Sequence, residues 1–225
     1  MIYDVMTLFP EIIEGYCQKS ITKRGIEKGI IKVNTHNPRN YTLDKHKKVD
    51  DTPYGGGGGM VLMAQPVFDC YRAIEKAQNS LFIMLTPQGE KYNQNLAKEF
   101  AQYGQIIMLC GHYEGFDERI RLGLKPREIS IGDYVLTGGE LGALVLIDSI
   151  SRNITGYLGE DICSETDSFS DGLGGLLEYP HYTKPREYEG MKVPDVLLSG
   201  NHGEIEKFRK EESLKRTRLK RPDLI

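Results

Sequence analysis

Apolar side chains follow two rhythms over the first 150 residues. Short runs of strand length, Ile2–Thr7, Gly29–Asn37, Leu81–Thr86, Gln105–Cys110 and Glu128–Ile131, are β-rich or continuously apolar. Between them lie stretches with apolar residues near helical spacing: Pro10–Lys28, Met63–Gln78 (Val67, Cys70, Ile74), Tyr92–Ala101, Asp117–Leu122 and Gly139–Ser151. Apolar strands interleaved with helices predict an α/β fold, a mostly parallel sheet with helices on both faces.

Beyond Arg152 the pattern breaks. Thr155–Gly175 holds five glycines, several serines and acidic residues, and little periodicity, which predicts a flexible linker. A proline-punctuated segment follows from Leu176, and a helix is expected after Asn201. The chain therefore divides into residues 1–154, a linker 155–175, and a small, mainly helical, basic domain 176–225.

Composition narrows the class. Hydrophobic residues make up 39% and charged residues 27% of 225 positions, which suits a globular chain long enough to bury a sizeable core. No apolar run approaches bilayer length, and Met1 to Asp4 starts neither a basic nor an apolar leader, so a cytoplasmic protein is expected. The cysteines, Cys17, Cys70, Cys110 and Cys163, form no CxxC pair, and the five histidines show no ligand spacing. Reduced thiols and no metal site are the expectation.

Charge is unevenly placed. Lys207 to Arg221 carries eight Lys or Arg against Glu211 and Glu212, a local +6 on a chain of net charge −3. A solvated helix face and a nucleic-acid footprint both explain such a run. A second basic stretch, Arg39 to Lys48, favours a polyanionic partner.

Candidate chemistry gathers at strand ends. Gly55–Gly59 is neither a P-loop, since no GK[ST] follows, nor part of a GxGxxG. Three segments each follow an expected strand: Thr86-Pro87-Gln88-Gly89, Gly111-His112-Tyr113-Glu114-Gly115, and Ile131 through Gly139. Singly each reads as a turn. Together they form a pocket hypothesis, because open α/β sheets bind ligands at the carboxyl ends of their strands.

LCGHYEGFDERI (109–120), SIGDYVLTGGE (130–140), PHYTKP (180–185) and VPDVLLSGNHGEI (193–205) closely resemble bacterial tRNA (guanine-N1)-methyltransferases of the knotted SPOUT superfamily. The resemblance runs from MTLFPEI near the start to RPDLI at the end. It implies a deep trefoil knot, which no strand pattern would have suggested. It also implies S-adenosylmethionine as cofactor and a homodimer whose active site is shared between subunits. The implied substrate is tRNA, gripped by its anticodon arm and methylated at the guanosine immediately 3′ of the anticodon.

Carried onto this chain, the cofactor would be held by Leu85, Thr86, Pro87, Gly111, Tyr113 and Glu114. Ile131, Gly132, Tyr134, Val135, Leu136, Gly138 and Gly139 would supply the rest, mostly through backbone groups. Pro87 and the glycines also read as turn residues, and Tyr113 and Tyr134 as core aromatics.

Methylation at N1 of guanine needs a base for the N1 proton and a cation for the charge that develops on O6. The family's base matches Asp167 and its cation Arg152. An Asp at its ordinary pKa of about 3.9 is a weak base, so tRNA must order the linker and desolvate it. Without the resemblance, Asp167 reads as a loop cap and Arg152 as a cation compensating a helix dipole. Asp171 and Glu165 are the rival bases.

One departure stands out: DSFSDGLGGLLEYPHYTKP holds three more residues, around Gly172–Gly174, than the family pattern. Surface loops tolerate insertions cheaply, so activity is still expected. Two other readings remain, a related knotted methyltransferase acting on another RNA and a non-catalytic RNA-binding module.

Overall fold

A computed structural model describes residues 1–159 and 166–225. Residues 160–165, with Cys163 and the candidate base Glu165, lie outside the described residues. The chain divides into two compact units, Met1–Gly159 and Glu160–Ile225.

The first unit is an α/β layer structure. Its strands are β1 (Ile2–Met6), β2 (Lys32–His36), the short pair β3 (Asp50–Asp51) and β4 (Val61–Leu62), β5 (Ser80–Lys91), β6 (Gln105–Leu109) and β7 (Arg127–Ser130). Five of them form one sheet in the order β2-β1-β6-β5-β7, every neighbouring pair parallel. The helices are α1 (Pro10–Cys17), α2 (Ser20–Glu27), α3 (Ala64–Ala73), α4 (Gln94–Phe100), α5 (Glu118–Leu124) and α6 (Glu140–Ser151).

Successive strand residues point to opposite faces, and here both faces are buried. Tyr3, Val5, Ile83, Ile106 and Met108 pack with Phe100 of α4 and with Leu146, Ile147 and Ile150 of α6. Met6, Met84, Ile107 and Leu109 pack on the other side with Val67 and Cys70 of α3 and Ile120 of α5. Burial of each such side chain contributes about 1.5–3 kcal/mol. Two covered faces explain why the strands read as near-continuous apolar runs.

Several boundaries differ from expectation. The helix expected over Pro10–Lys28 is two helices, because Lys19 is extended (φ −125°, ψ 153°) and Ser20 is left-handed (φ 52°). The break re-aims α2 so that Gly25 meets the ring of Tyr157, where a Cβ would lie 2.6 Å away, and Thr22 accepts from the Tyr157 hydroxyl at 3.2 Å. Tyr157, from the expected linker, is thereby buried in the core of the first unit. The helix expected over Met63–Gln78 stops at Ala73, since Ile74 turns extended to bury its side chain. Strand β5 outruns Thr86: Leu85 and Glu90 both face Ile129, so residues 86–89 bulge out and the strand resumes beside β7.

Cys17, Cys70 and Cys110 are free and buried, and burial raises each thiol pKa, to about 11 for Cys17 and about 12 for Cys70.

In the second unit, residues 169–176 fold back on themselves. The Phe169 amide donates to Leu176 O at 2.9 Å, and Asp171–Leu173 forms a 3-10 turn capped by Ser170. The turn ends at Gly174, which is left-handed (φ 63°). A hairpin of β8 (Glu187–Tyr188) and β9 (Met191–Lys192) and a short helix α7 (Asp195–Leu198) precede α8 (His202–Lys220), which is capped by the Asn201 side chain. Helix α8 holds the extended segment before the hairpin by polar contacts. Ser213 Oγ donates to Leu177 O at 2.6 Å, and the Leu177 amide donates to Thr217 Oγ1 at 3.0 Å.

Candidate active site

The three glycine-bearing strand ends converge. The outward bulge of β5 supplies Leu85, Thr86 and Pro87, and the turn after β6 supplies Gly111, Tyr113 and Glu114. The long segment after β7 supplies Ile131, Gly132, Tyr134, Val135, Leu136, Gly138 and Gly139. All thirteen line one cavity of about 420 Å³, a size suited to a small-molecule cofactor, whose sites run about 300–1,000 Å³.

Close backbone packing shapes this cavity. The Gly139 amide donates to Gly111 O at 2.9 Å. A Cβ on Gly139 would lie 2.6 Å from Cys110 Cα, and one on Gly111 would lie 2.7 Å from the Phe116 ring. Both positions need glycine for space, since a side chain would push the cavity walls apart. Leu85, Ile129 and Ile131 line the same space, beside Thr86, Ser130, Thr137 and glycines, among them Gly111, Gly132, Gly138 and Gly139. Apolar walls beside small polar and glycine residues suit a flat heteroaromatic ring with polar edges, so the residues present fit S-adenosylmethionine.

Tyr113 and Tyr134 are not core aromatics. They are 43% and 55% exposed at the cavity rim. Tyr113 adopts a left-handed backbone (φ 63°), uncommon for a bulky residue. Burial, with Asp50 as hydrogen-bond partner, raises the pKa of its hydroxyl, and Arg39 Nη2 donates to the same oxygen at 3.3 Å. The glycine run is drawn to the same rim. Gly55, Gly56, Gly57 and Gly59 all have positive φ, and the Glu114 amide donates to Met60 O at 2.9 Å.

Two residues of this region carried no expected role. His112 lines the cavity, and its Nε2 lies 2.8 Å from each carboxylate oxygen of buried Glu140. Thr7 Oγ1 donates to the same carboxylate at 2.5 Å. Both residues stand inside the quoted motifs, yet nothing local in the chain indicates that Glu140 would be buried.

The two expected catalytic residues belong to different units. Arg152 is the C-cap of α6, while Gly139 at the other end of that twelve-residue helix lines the cavity. At 1.5 Å per residue the two ends are roughly 18 Å apart. Asp167 lies in the second unit, half-buried, its carbonyl accepting from the Ser170 amide at 3.1 Å. Asp171 stands on the 3-10 turn and is exposed. Among the described residues no three His, Cys, Asp or Glu gather as metal ligands, and no helix is long and apolar enough to cross a membrane.

Known proteins resemble this chain along its whole length. Residues 1–225 match the family described as tRNA (Guanine-1)-methyltransferase TrmD. A tRNA (guanine-N(1)-)-methyltransferase of Clostridioides difficile is 55% identical over 227 residues, covering all of this chain and 97% of the relative. Proteins of the same name from Halalkalibacterium halodurans (54% identical, 99% of this chain, 90% of the relative) and Staphylococcus carnosus (53%, 99% and 89%) are similar over the same span. With a match that leaves no part of either unit uncovered, the chain belongs to the tRNA (Guanine-1)-methyltransferase TrmD family.

Proposed function

We propose that this protein methylates N1 of guanosine in tRNA, at the nucleoside immediately 3′ of the anticodon, and works in the cytoplasm. The observation that carries the reading is the convergence of thirteen residues, from three segments distant in sequence, on one cofactor-sized cavity in a chain of this family. Bound there, S-adenosylmethionine supplies the methyl group. Leu85, Ile129 and Ile131 exclude water from one side of the cavity, and the peptide groups around Gly111, Tyr113, Leu136 and Gly138 orient the ligand. Asp167 removes the N1 proton, and the Arg152 guanidinium stabilises the charge that develops on O6.

A deep trefoil knot belongs to this reading. What supports it is membership of the family over the whole chain.

The active form is a homodimer with shared active sites. The cavity takes Gly139 and Gly142 from the first turn of α6, while Arg152 caps the other end of that helix and does not line it, so a second copy supplies the cation. A surface for it exists. Phe9, Ile12 and Tyr16 along α1 and Leu141 and Val145 along α6 are exposed, and the Tyr16 hydroxyl ties the helices together by donating to Asp148 at 2.5 Å. The second unit acts as a small helical tRNA-binding domain whose basic α8 contacts phosphates of the anticodon arm.

The test is methyl transfer from labelled S-adenosylmethionine to an unmodified tRNA transcript, beside a control with adenosine in place of the target guanosine. Label in the first alone is expected. Label in both would overturn the position, and cofactor binding without label would favour the non-catalytic reading.

A further inference from the structure

Against the cavity wall the first unit holds a carboxylate that the proposed chemistry leaves unused. Glu140 is the first residue of α6 and 3% exposed. It accepts from Thr7, which follows β1, and is bridged by His112, which follows β6. Thr7 Oγ1 in turn accepts from the Phe9 amide at 2.9 Å, the N-cap of α1. One side chain therefore joins three strand–helix junctions. The cavity wall rests on it: a Cβ on Gly138 would lie 2.6 Å from Glu140 Oε2 and 2.7 Å from His112 Nε2.

Burying a carboxylate is costly unless charge-assisted hydrogen bonds and a favourable field offset it. Glu140 has two side-chain partners and the positive end of α6. A well-packed apolar side chain would fill such a position at less cost. What a carboxylate adds is directional hold on Thr7 and His112.

We infer that Glu140 is a positioning residue for the cofactor, fixing through His112 and Gly138 the spacing between the 111–113 and 136–139 segments. The inference rests on the proposed use of the cavity. Misplacement of these walls by even a fraction of an ångström weakens every peptide contact to the ligand together.

The test is calorimetric titration of S-adenosylmethionine into the wild type, Glu140→Gln and Thr7→Val, with KM measured for both substrates and a melting curve for each variant. Thr7 does not line the cavity, and its hydroxyl serves both Glu140 and the Phe9 amide, so the melting curve reads the lost cap of α1 and the titration reads the effect through Glu140. Glu140→Gln is expected to weaken cofactor binding roughly tenfold and Thr7→Val about threefold, with the KM for tRNA within about twofold of wild type. Unchanged cofactor affinity with a lowered melting temperature overturns the inference and makes Glu140 a fold contact only. Should Glu140→Gln fail to fold, Thr7→Val decides alone. A wild type that binds no S-adenosylmethionine overturns the use of the cavity, and this inference with it.

Discussion

Gly139 lies against Cys110 at backbone distance. Its amide bonds to Gly111 O at 2.9 Å, and a Cβ would stand 2.6 Å from Cys110 Cα. The φ of Gly139 is −82°, which any residue adopts, so the requirement for glycine is one of space. The neighbour that must give way is main chain just past the end of β6, held by the Cys110 amide donating to Met6 O at 2.9 Å, and it cannot rotate aside as a side chain could. Gly139→Ala is expected to destabilise the fold by about 1–3 kcal/mol and to abolish measurable binding of S-adenosylmethionine. A thermal melt and a titration check it; a variant with wild-type values for both would refute the close contact.

The proposed division of labour between Asp167 and Arg152 predicts a split between binding and turnover. Asp167→Asn should lower kcat by roughly 10²–10⁴ and Arg152→Ala by roughly 10²–10³, with cofactor affinity unchanged in each. Single-turnover methylation with saturating tRNA measures this directly. Full activity of Asp167→Asn would transfer the base role to Asp171 or to Glu165.

Asp4 couples stability to pH. It sits in the middle of β1, buried, where desolvation raises its pKa. Three donors together outweigh that largest single cause: His36, Gln105 and Asn34, at 2.7, 2.7 and 2.9 Å, hold the carboxyl below its usual range. A depressed folded-state pKa stabilises the protein above the unfolded value of about 3.9, and the contribution is lost as pH falls through the folded value. Asp4→Asn should therefore cost about 1–3 kcal/mol at pH 7, and the gap to wild type should close below about pH 4. Denaturant melts at pH 7 and pH 3 that show the same gap would contradict this.

The basic helix α8 sorts its own charges. Arg209 stacks over buried Tyr179 at 4.9 Å and Arg216 Nη1 donates to Glu178 O at 3.3 Å, so both serve the packing of the second unit. Lys207 and Arg218, three turns apart on one face of the helix, are exposed. Reversing both charges together, Lys207→Glu with Arg218→Glu, should weaken tRNA binding and flatten its salt dependence by about two logarithmic units of slope. Arg216→Ala should instead lower stability by about 1 kcal/mol. Anisotropy titrations across a salt series distinguish the two effects; an unchanged slope in the double variant would place the RNA elsewhere.

The apolar stripe on α1 and α6 predicts association. Val145→Glu should convert a dimer into monomers in sedimentation and abolish methyl transfer. Activity persisting in a monomer would show that one copy assembles a complete site.

Reading the chain alone located the strands well where burial was two-sided, as at Ile83 to Leu85 and Ile106 to Leu109, because a strand covered on both faces leaves an uninterrupted apolar run. Elements whose limits depend on a distant partner were less legible. Lys19 and Ser20 carry no glycine or proline signal, and the helix breaks there because α2 must meet Tyr157. Asp4 and Glu140 are charged residues in buried positions, and their donors, His36 and Gln105 for one and Thr7 and His112 for the other, lie between 28 and 133 residues away.

What the amino-acid order determined by itself was the alternation of strand and helix, the small residues after three strands, and family membership through long motifs. Those features are local, set by side-chain type and spacing over a few residues. The strand order β2-β1-β6-β5-β7 was decided only by the tertiary structure. It brings residues near 86, 111 and 132 to neighbouring strand ends, and so turns three ordinary turns into a cavity. Periodicity reports which face a residue buries, but not which distant strand completes the sheet. That choice depends on covering both faces at once, a property of the whole chain.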